Sequence, residues 1–259
     1  MRDALWAELL KLRRSRLPWI SALAFTVATL VCGLFMFILQ DPQRARALGL
    51  LGGKAQLSGA TADWTGYLAL LAQAVAVGGL LIYGVIAIWL FGREFSDHTA
   101  KDLLALPTSR AAIVGAKFII GGLWSVLLAV QVCGLGLLIG ALLGLPGWSE
   151  HHVVEGVARV LVAATLTALL TTPLSLAAST GRGYLAAVAA LFAALFTAQV
   201  VAALGFGAYF PWSVPGLFAG IAGPGHDPPN ALSFLLVLST GSAGVYVTTV
   251  WWRKADHSR

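Results

Sequence analysis

The residues that could do chemistry are few, and their spacing excludes most of what they might suggest. A phosphate-cradling loop needs Gly-x-x-x-x-Gly-Lys followed by Ser or Thr, so that backbone N–H groups and the lysine meet the phosphates. The nearest stretch is GLLGGKAQ, in which Ala55 follows Gly53-Lys54 and Leu48 stands where the first glycine is required. Nucleotide binding by that motif is excluded. Cys32 and Cys133 both lie inside apolar runs without a His or Cys at metal-ligand spacing, so they read as packing residues. Glu155 and Arg159 have the spacing and order of an i,i+4 ion pair. A structural or interfacial pair is one reading of them, a gating or substrate contact the other.

One segment, Gly92 to Phe118, concentrates charge and helix-capping chemistry: GREFSDHTAKDLLALPTSRAAIVGAKF. Ser96 or Asp97 can cap a short helix, Leu103, Leu104 and Leu106 give it an apolar side, and Pro107 ends it. Thr108 or Ser109 then caps the helix that follows. Short capped helices with an apolar patch in a charged loop suit a groove on a partner protein. A solvated connector that turns at Pro107 is the plainer alternative.

The elements that must position this segment follow from composition. The chain has 259 residues, 58% hydrophobic and 11% charged, against roughly 45–50% and about 25% in soluble domains. Lipid must therefore be its solvent, and the excess of 17 Lys+Arg over 11 Asp+Glu points to basic membrane-flanking loops before it points to nucleic acid. Six apolar runs, near 18–40, 64–91, 112–144, 153–179, 184–208 and 231–252, are long enough to span about 30 Å of hydrocarbon. The third exceeds one span and should project or tilt. Arg44, Arg46, Lys54 and Arg159 fall on one side and the other 13 Lys and Arg on the opposite side, which predicts cytoplasmic termini. The predicted fold class is an all-α membrane protein, one domain over 1–259.

Ahead of the first span, residues 3–16 read as an amphipathic helix with Leu5, Leu9 and Leu12 on one stripe and Glu8, Lys11, Arg13 and Arg14 over much of the rest. Such a helix lies in the membrane interface, either as a basic anchor or as a mechanical element. Between the last two spans, residues 209–230 interleave aromatics with prolines and glycines, a composition that breaks a helix and can fold back toward the membrane. No span carries Asp, Glu, Lys, Arg or His at its middle, which disfavours proton- or sodium-coupled transport.

Across the cytoplasmic coupling loop, 92–111, and the start of span three as far as Phe118, the sequence resembles the ABC-2-type exporter permeases, a family that includes bacitracin-resistance and lantibiotic self-immunity membrane subunits. Its pattern is a Glu ending span two, then Gly-Thr, a Leu-rich helix, Pro-x-Ser-Arg and a Lys opening span three. Glu94, Thr99, Leu103, Leu104, Pro107, Ser109, Arg110 and Lys117 match it, and His98 departs from it by standing at the glycine. The resemblance implies a permease that hydrolyses nothing and binds no cofactor, with ATP and Mg held by two copies of a cytoplasmic ABC ATPase subunit. It also implies a second permease, identical or homologous, a bacterial plasma-membrane location, and export; the cargo is read separately, from spans without charge at their centre, as a hydrophobic or amphipathic drug, antibiotic peptide or lipid. Within it, Glu94, Phe95, Ser96, Asp97, Thr99, Lys101, Leu103, Leu104, Pro107, Ser109 and Arg110 would form the ATPase-coupling segment. Apart from that family, the same loop suits a membrane assembly or receptor protein that recruits a cytoplasmic partner without transport.

Uncharged polar residues inside the spans are the candidates for a substrate path: Gln73, Gln131, Thr165, Thr172 and Gln199. Hydrogen bonding between helices is the favoured reading of them, ahead of substrate contact. Thr165, Thr172 and Ser179 recur every seven residues, and Gly136, Gly140 and Gly144 offer a small-residue face for close packing. Pro173 predicts a kink in the fourth span.

Overall fold

The structure is a computed structural model describing residues 1–47, 49, 61–104, 108–223 and 228–254, without the side chains of 45–47, 101 and 104. Gly53-Lys54 and Pro107 lie outside the described residues. The helices are α1 (Arg2–Arg14), α2 (Leu17–Gln40), α3 (Pro42–Ala47), α4 (Trp64–Ser96), α5 (Ala100–Leu104), α6 (Arg110–Leu142), α7 (Glu150–Leu170), α8 (Thr172–Thr180), α9 (Leu185–Ala203), α10 (Val214–Phe218) and α11 (Ala231–Lys254). Six units are long and apolar enough to cross a bilayer: α2, α4, α6, α7 with α8, α9 and α11. The chain is a multi-pass, all-helical membrane protein.

Helix α4 is the hub. It packs against α2, α6, α7, α8 and α9, and 56% of its most apolar stretch is buried, against 17% for α9 at the periphery. At 33 residues each, α4 and α6 reach roughly 50 Å at 1.5 Å per residue, so both outrun the hydrocarbon. Their start points follow from side-chain caps. Asp63 accepts from the Gly66 N–H at 2.7 Å, and Ser109 from the Ala112 N–H at 3.3 Å. Two of the three glycines expected to let α6 pack closely do so. A Cβ on Gly136 would come 2.5 Å from Leu71, and one on Gly140 2.6 Å from the Trp64 ring. Gly144 instead lies beyond the end of α6 with φ +61, a left-handed conformation that glycine adopts freely.

The fourth crossing is broken rather than continuous. Pro173 has no N–H to offer the carbonyl one turn back, and α7 ends at Leu170 before α8 begins at Thr172. The Thr172 hydroxyl lies 2.9 Å from the Leu169 carbonyl and 2.7 Å from that of Gly241 on α11, and the Trp212 indole donates to Leu170 O at 3.1 Å. The break thus satisfies its freed carbonyls and ties α11 to it. Residues 204–223 fold back as short turns and α10, held by Ser213 donating to Ala198 O at 2.9 Å. The fifth crossing stops at Ala203, five residues before its expected end, because Gly205 turns left-handed at φ +84.

Candidate functional site

The residues that carry the resemblance fall at one end of the bundle, where α1, the end of α4, α5, the start of α6, the end of α8 and the end of α11 come together. The expected loop boundary is wrong at its first residues. Helix α4 runs on through Gly92, Glu94, Phe95 and Ser96, with Asp97 as its C-terminal cap rather than the N-cap of α5. Arg93 explains the extension, pairing with Asp97 at 3.0 Å across one turn and lying 5.0 Å over the Trp89 ring. His98 then turns the chain with φ +57. The histidine adopts the left-handed backbone for which a glycine would be the natural choice.

Glu94 is 3% exposed and Lys117 1%, and the two meet at 2.8 Å. Around them sits a four-charge cluster. Lys117 Nζ also reaches Glu8 Oε2 at 3.2 Å and donates to Leu90 O at 2.7 Å, which uses all three of its protons. Lys11 Nζ bridges Glu8 at 2.9 Å and Glu94 at 2.7 Å. The Thr99 hydroxyl closes the ring on Glu94 Oε2 at 2.8 Å. Two ammonium and two carboxylate groups cancel, which is how charge is tolerated at such burial. Burial opposes the Lys11 charge, yet its two carboxylate partners hold its pKa above the ordinary lysine value.

Glu8 and Lys11 are the members that the sequence reading left on the polar side of α1, and Glu8 is the one the structure buries. Ala4, Glu8 and Leu12 are the buried residues of α1, and their spacing of four puts them on one face. An acid in line with two apolar residues is the signal that could have revealed it. The α1 helix accordingly packs against α6 and α2, with Trp6 63% exposed.

A second set of contacts fastens α11 to the same end. Arg110 donates to the Trp252 and Arg253 carbonyls at 3.4 Å each, a cation placed where the α11 dipole is negative. Phe95 meets the Trp251 and Trp252 rings edge-on at 6.1 and 5.7 Å, and the buried Trp252 indole donates to Ser179 at 2.9 Å. Leu103 packs against the core, while Ser96 is exposed. Lys101 and Leu104 belong to α5, but their side chains lie outside the described part.

The candidate path residues do not converge. Gln131 donates to Ala22 O at 3.0 Å and to Thr26 at 2.8 Å, joining α6 to α2. Gln73 reaches Gly220 O at 3.4 Å at the opposite end, and Gln199 lines a separate cavity of about 210 Å³. Only Thr165 and Thr172 share a cavity, of about 520 Å³, between α4, α6, α7, α8 and α11. Glu155 and Arg159 form an exposed pair at 3.4 Å.

The strained turn makes a prediction. His98→Gly is expected to leave the fold intact and stabilise it by about 1 kcal/mol, whereas His98→Val should destabilise it by at least as much, because a β-branched residue resists positive φ. Thermal unfolding of the two variants in one detergent checks the order, and equal midpoints would argue against strain at this turn.

Residues 4–199 match the family model described as ABC-2 family transporter protein. The chain is also similar to the bacitracin transport permease protein BCRB of Bacillus licheniformis, with 27% identity over 179 residues that cover 69% of this chain and 85% of that protein.

Proposed function

This chain belongs to the ABC-2 family of transporter proteins, and from that premise we propose that it is the permease of an exporter driven by ATP hydrolysed on separate cytoplasmic subunits. One of two ATPase subunits would dock on residues 97–110, and a second permease, identical or homologous, would take the other and complete the pore in a bacterial plasma membrane. Both termini then face the cytoplasm, with the Trp6 side of α1 in the membrane interface. The cargo is hydrophobic or amphipathic: a drug, an antibiotic peptide or a lipid. ATP and Mg stay with the partner, and this chain supplies no catalytic group.

The observation that carries this reading is the buried cluster of Glu8, Lys11, Glu94 and Lys117. It joins three helices immediately beside the docking segment, and Arg110 adds α11. A push delivered at the docking segment would reach the flanking ends of α4 and α6, which are locked to each other and to α1. It is transmitted to the spans as a rigid-body displacement.

The test is co-purification with the ATPase subunit and hydrolysis in lipid. Arg110→Glu is expected to reduce coupled hydrolysis by roughly tenfold, since a partly buried cation at a helix C-terminus contributes up to about 2 kcal/mol and reversal makes it repulsive. Hydrolysis indifferent to the permease, or no association with an ATPase, would sink the proposal in favour of a recruitment protein.

A further inference from the structure

The charges at the start of the chain divide between two sides of α1. Glu8 and Lys11 turn inward and are spent in the cluster with Glu94 and Lys117. Arg13 and Arg14 stay exposed in the last turn of α1, and so does Arg16 in the short elbow that leads to α2. Elsewhere Arg93, Arg110 and Arg159 each meet a carboxylate or a carbonyl. Among the described residues, the three guanidinium groups at the elbow make no ion pair, hydrogen bond or cation–π contact. The one exposed acid of α1, Asp3, lies about 15 Å before Arg13 along the helix, beyond the roughly 8–10 Å over which exposed charges act in physiological salt.

Arg16 also heads an uncovered apolar stripe on α2. Trp19 is 79% and Leu23 64% exposed, and Val27 and Leu30 follow them in the open, at spacings of three and four that place them on one side of the helix. On α1 the exposed Trp6 stands seven residues before Arg13, again on one face. Indole rings favour the boundary between headgroups and hydrocarbon, so Trp19 sets the depth of the elbow at the phosphates of the leaflet on the α1 side. None of these residues lines the cavities of about 520 and 210 Å³.

We propose that the elbow between α1 and α2 seats the headgroup of an anionic phospholipid, held by Arg13, Arg14 and Arg16, with its acyl chains along the Trp19 stripe of α2. Guanidinium groups match phosphate oxygens as forked donors. Three cations without a nearby acid favour a headgroup of net negative charge over a zwitterion, whose own cation they repel. A soluble anion would pair the arginines but would leave the apolar stripe beneath them without a role. The lipid is a resident partner of the outer surface and not cargo. It holds α1 from outside while Glu8 and Lys11 hold it from inside. Nothing in this assignment depends on an ATPase.

The test uses the permease alone in phosphatidylcholine nanodiscs with a trace of diazirine-bearing phosphatidylglycerol, the labelled peptides being mapped after illumination. Label is expected on residues 13–35. Unlabelled phosphatidylglycerol should compete at roughly tenfold lower mole fraction than added phosphatidylcholine, and inorganic phosphate at matched ionic strength should not compete. Arg13→Gln, Arg14→Gln and Arg16→Gln together should erase the preference, since each basic residue at an anionic surface contributes about fivefold. Arg253→Gln with Lys254→Gln, at exposed cations on the same end of the bundle, should preserve it. Competition on the unaltered chain remains a readout where the triple variant inserts poorly. Equal competition by the two phospholipids, displacement by inorganic phosphate, or a preference that survives the triple variant or falls with Arg253 and Lys254 overturns the assignment. Loss of ATPase binding by the triple variant without any lipid preference would also overturn it, giving the patch to a protein partner.

Discussion

Glu94→Gln is expected to destabilise the protein by roughly 3–5 kcal/mol, the scale for removing one partner from a buried ion pair. The loss is large because two ammonium groups depend on this carboxylate. Lys117, 1% exposed, and Lys11 both bond Glu94 Oε1, and with glutamine in place they share Glu8 alone. Lys117→Met should be similarly damaging, for it strands Glu94 and Glu8 with Lys11 as their only cation. Combined, the two changes leave Glu8 and Lys11 as a neutral pair at 2.9 Å. The double variant should therefore recover most of the stability, giving a coupling energy well above the ~0.5 kcal/mol within which independent changes add. Thermal unfolding of the four proteins in one detergent measures the cycle. Additive losses would mean that the charges act separately and would remove the physical basis for a locked joint at the docking segment.

Gly244→Val should cost at least the roughly 1–3 kcal/mol typical of overpacking. A Cβ at this position would lie 2.5 Å from Thr172 Oγ1 and 2.6 Å from the Pro173 nitrogen. The second of these is backbone held by a proline ring and cannot swing aside. Helix α11 must therefore move out, which breaks the Thr172 contact with Gly241 O and draws on the anchorage of Trp252. Gly134→Ala on α6 is the control, because its Cβ would meet nothing within 4 Å, and it should stay within about 0.5 kcal/mol of the parent. Similar melting of both variants would show that the α8–α11 approach is looser than the packing implies.

Hydropathy made the six crossings legible, since each run is long, apolar and bounded by charge or by Gly and Pro. The end of α4 was not legible for the same reason. Arg93 and Glu94 look like the edge of a span, yet each is neutralised by a partner, Asp97 in the next turn and Lys117 on another helix. Linear sequence does not disclose a partner 23 residues away. Likewise the even spacing of Thr165, Thr172 and Ser179 did not disclose that the first two share a cavity while Ser179 lies apart from it. Thr172 turns to Gly241 and Ser179 accepts from Trp252. The three glutamines failed to converge because a polar residue in a span names no helix face until its neighbours are known. Glu8 went unread because the basic residues of α1 drew attention to its outer side, while the face shared with Ala4 and Leu12 held the acid.

The cluster also sets an order of events during synthesis. Glu8 and Lys117 are 109 residues apart in the chain, so α1 leaves the ribosome with its inward acid long before the lysine that completes its neutralisation exists. At about 5–20 residues per second the interval is roughly 5–20 seconds, during which two crossings have been made and the third has begun. The first helix of the chain thus reaches its final seat only after the third crossing starts, which makes the N-terminus a late arrival in its own fold.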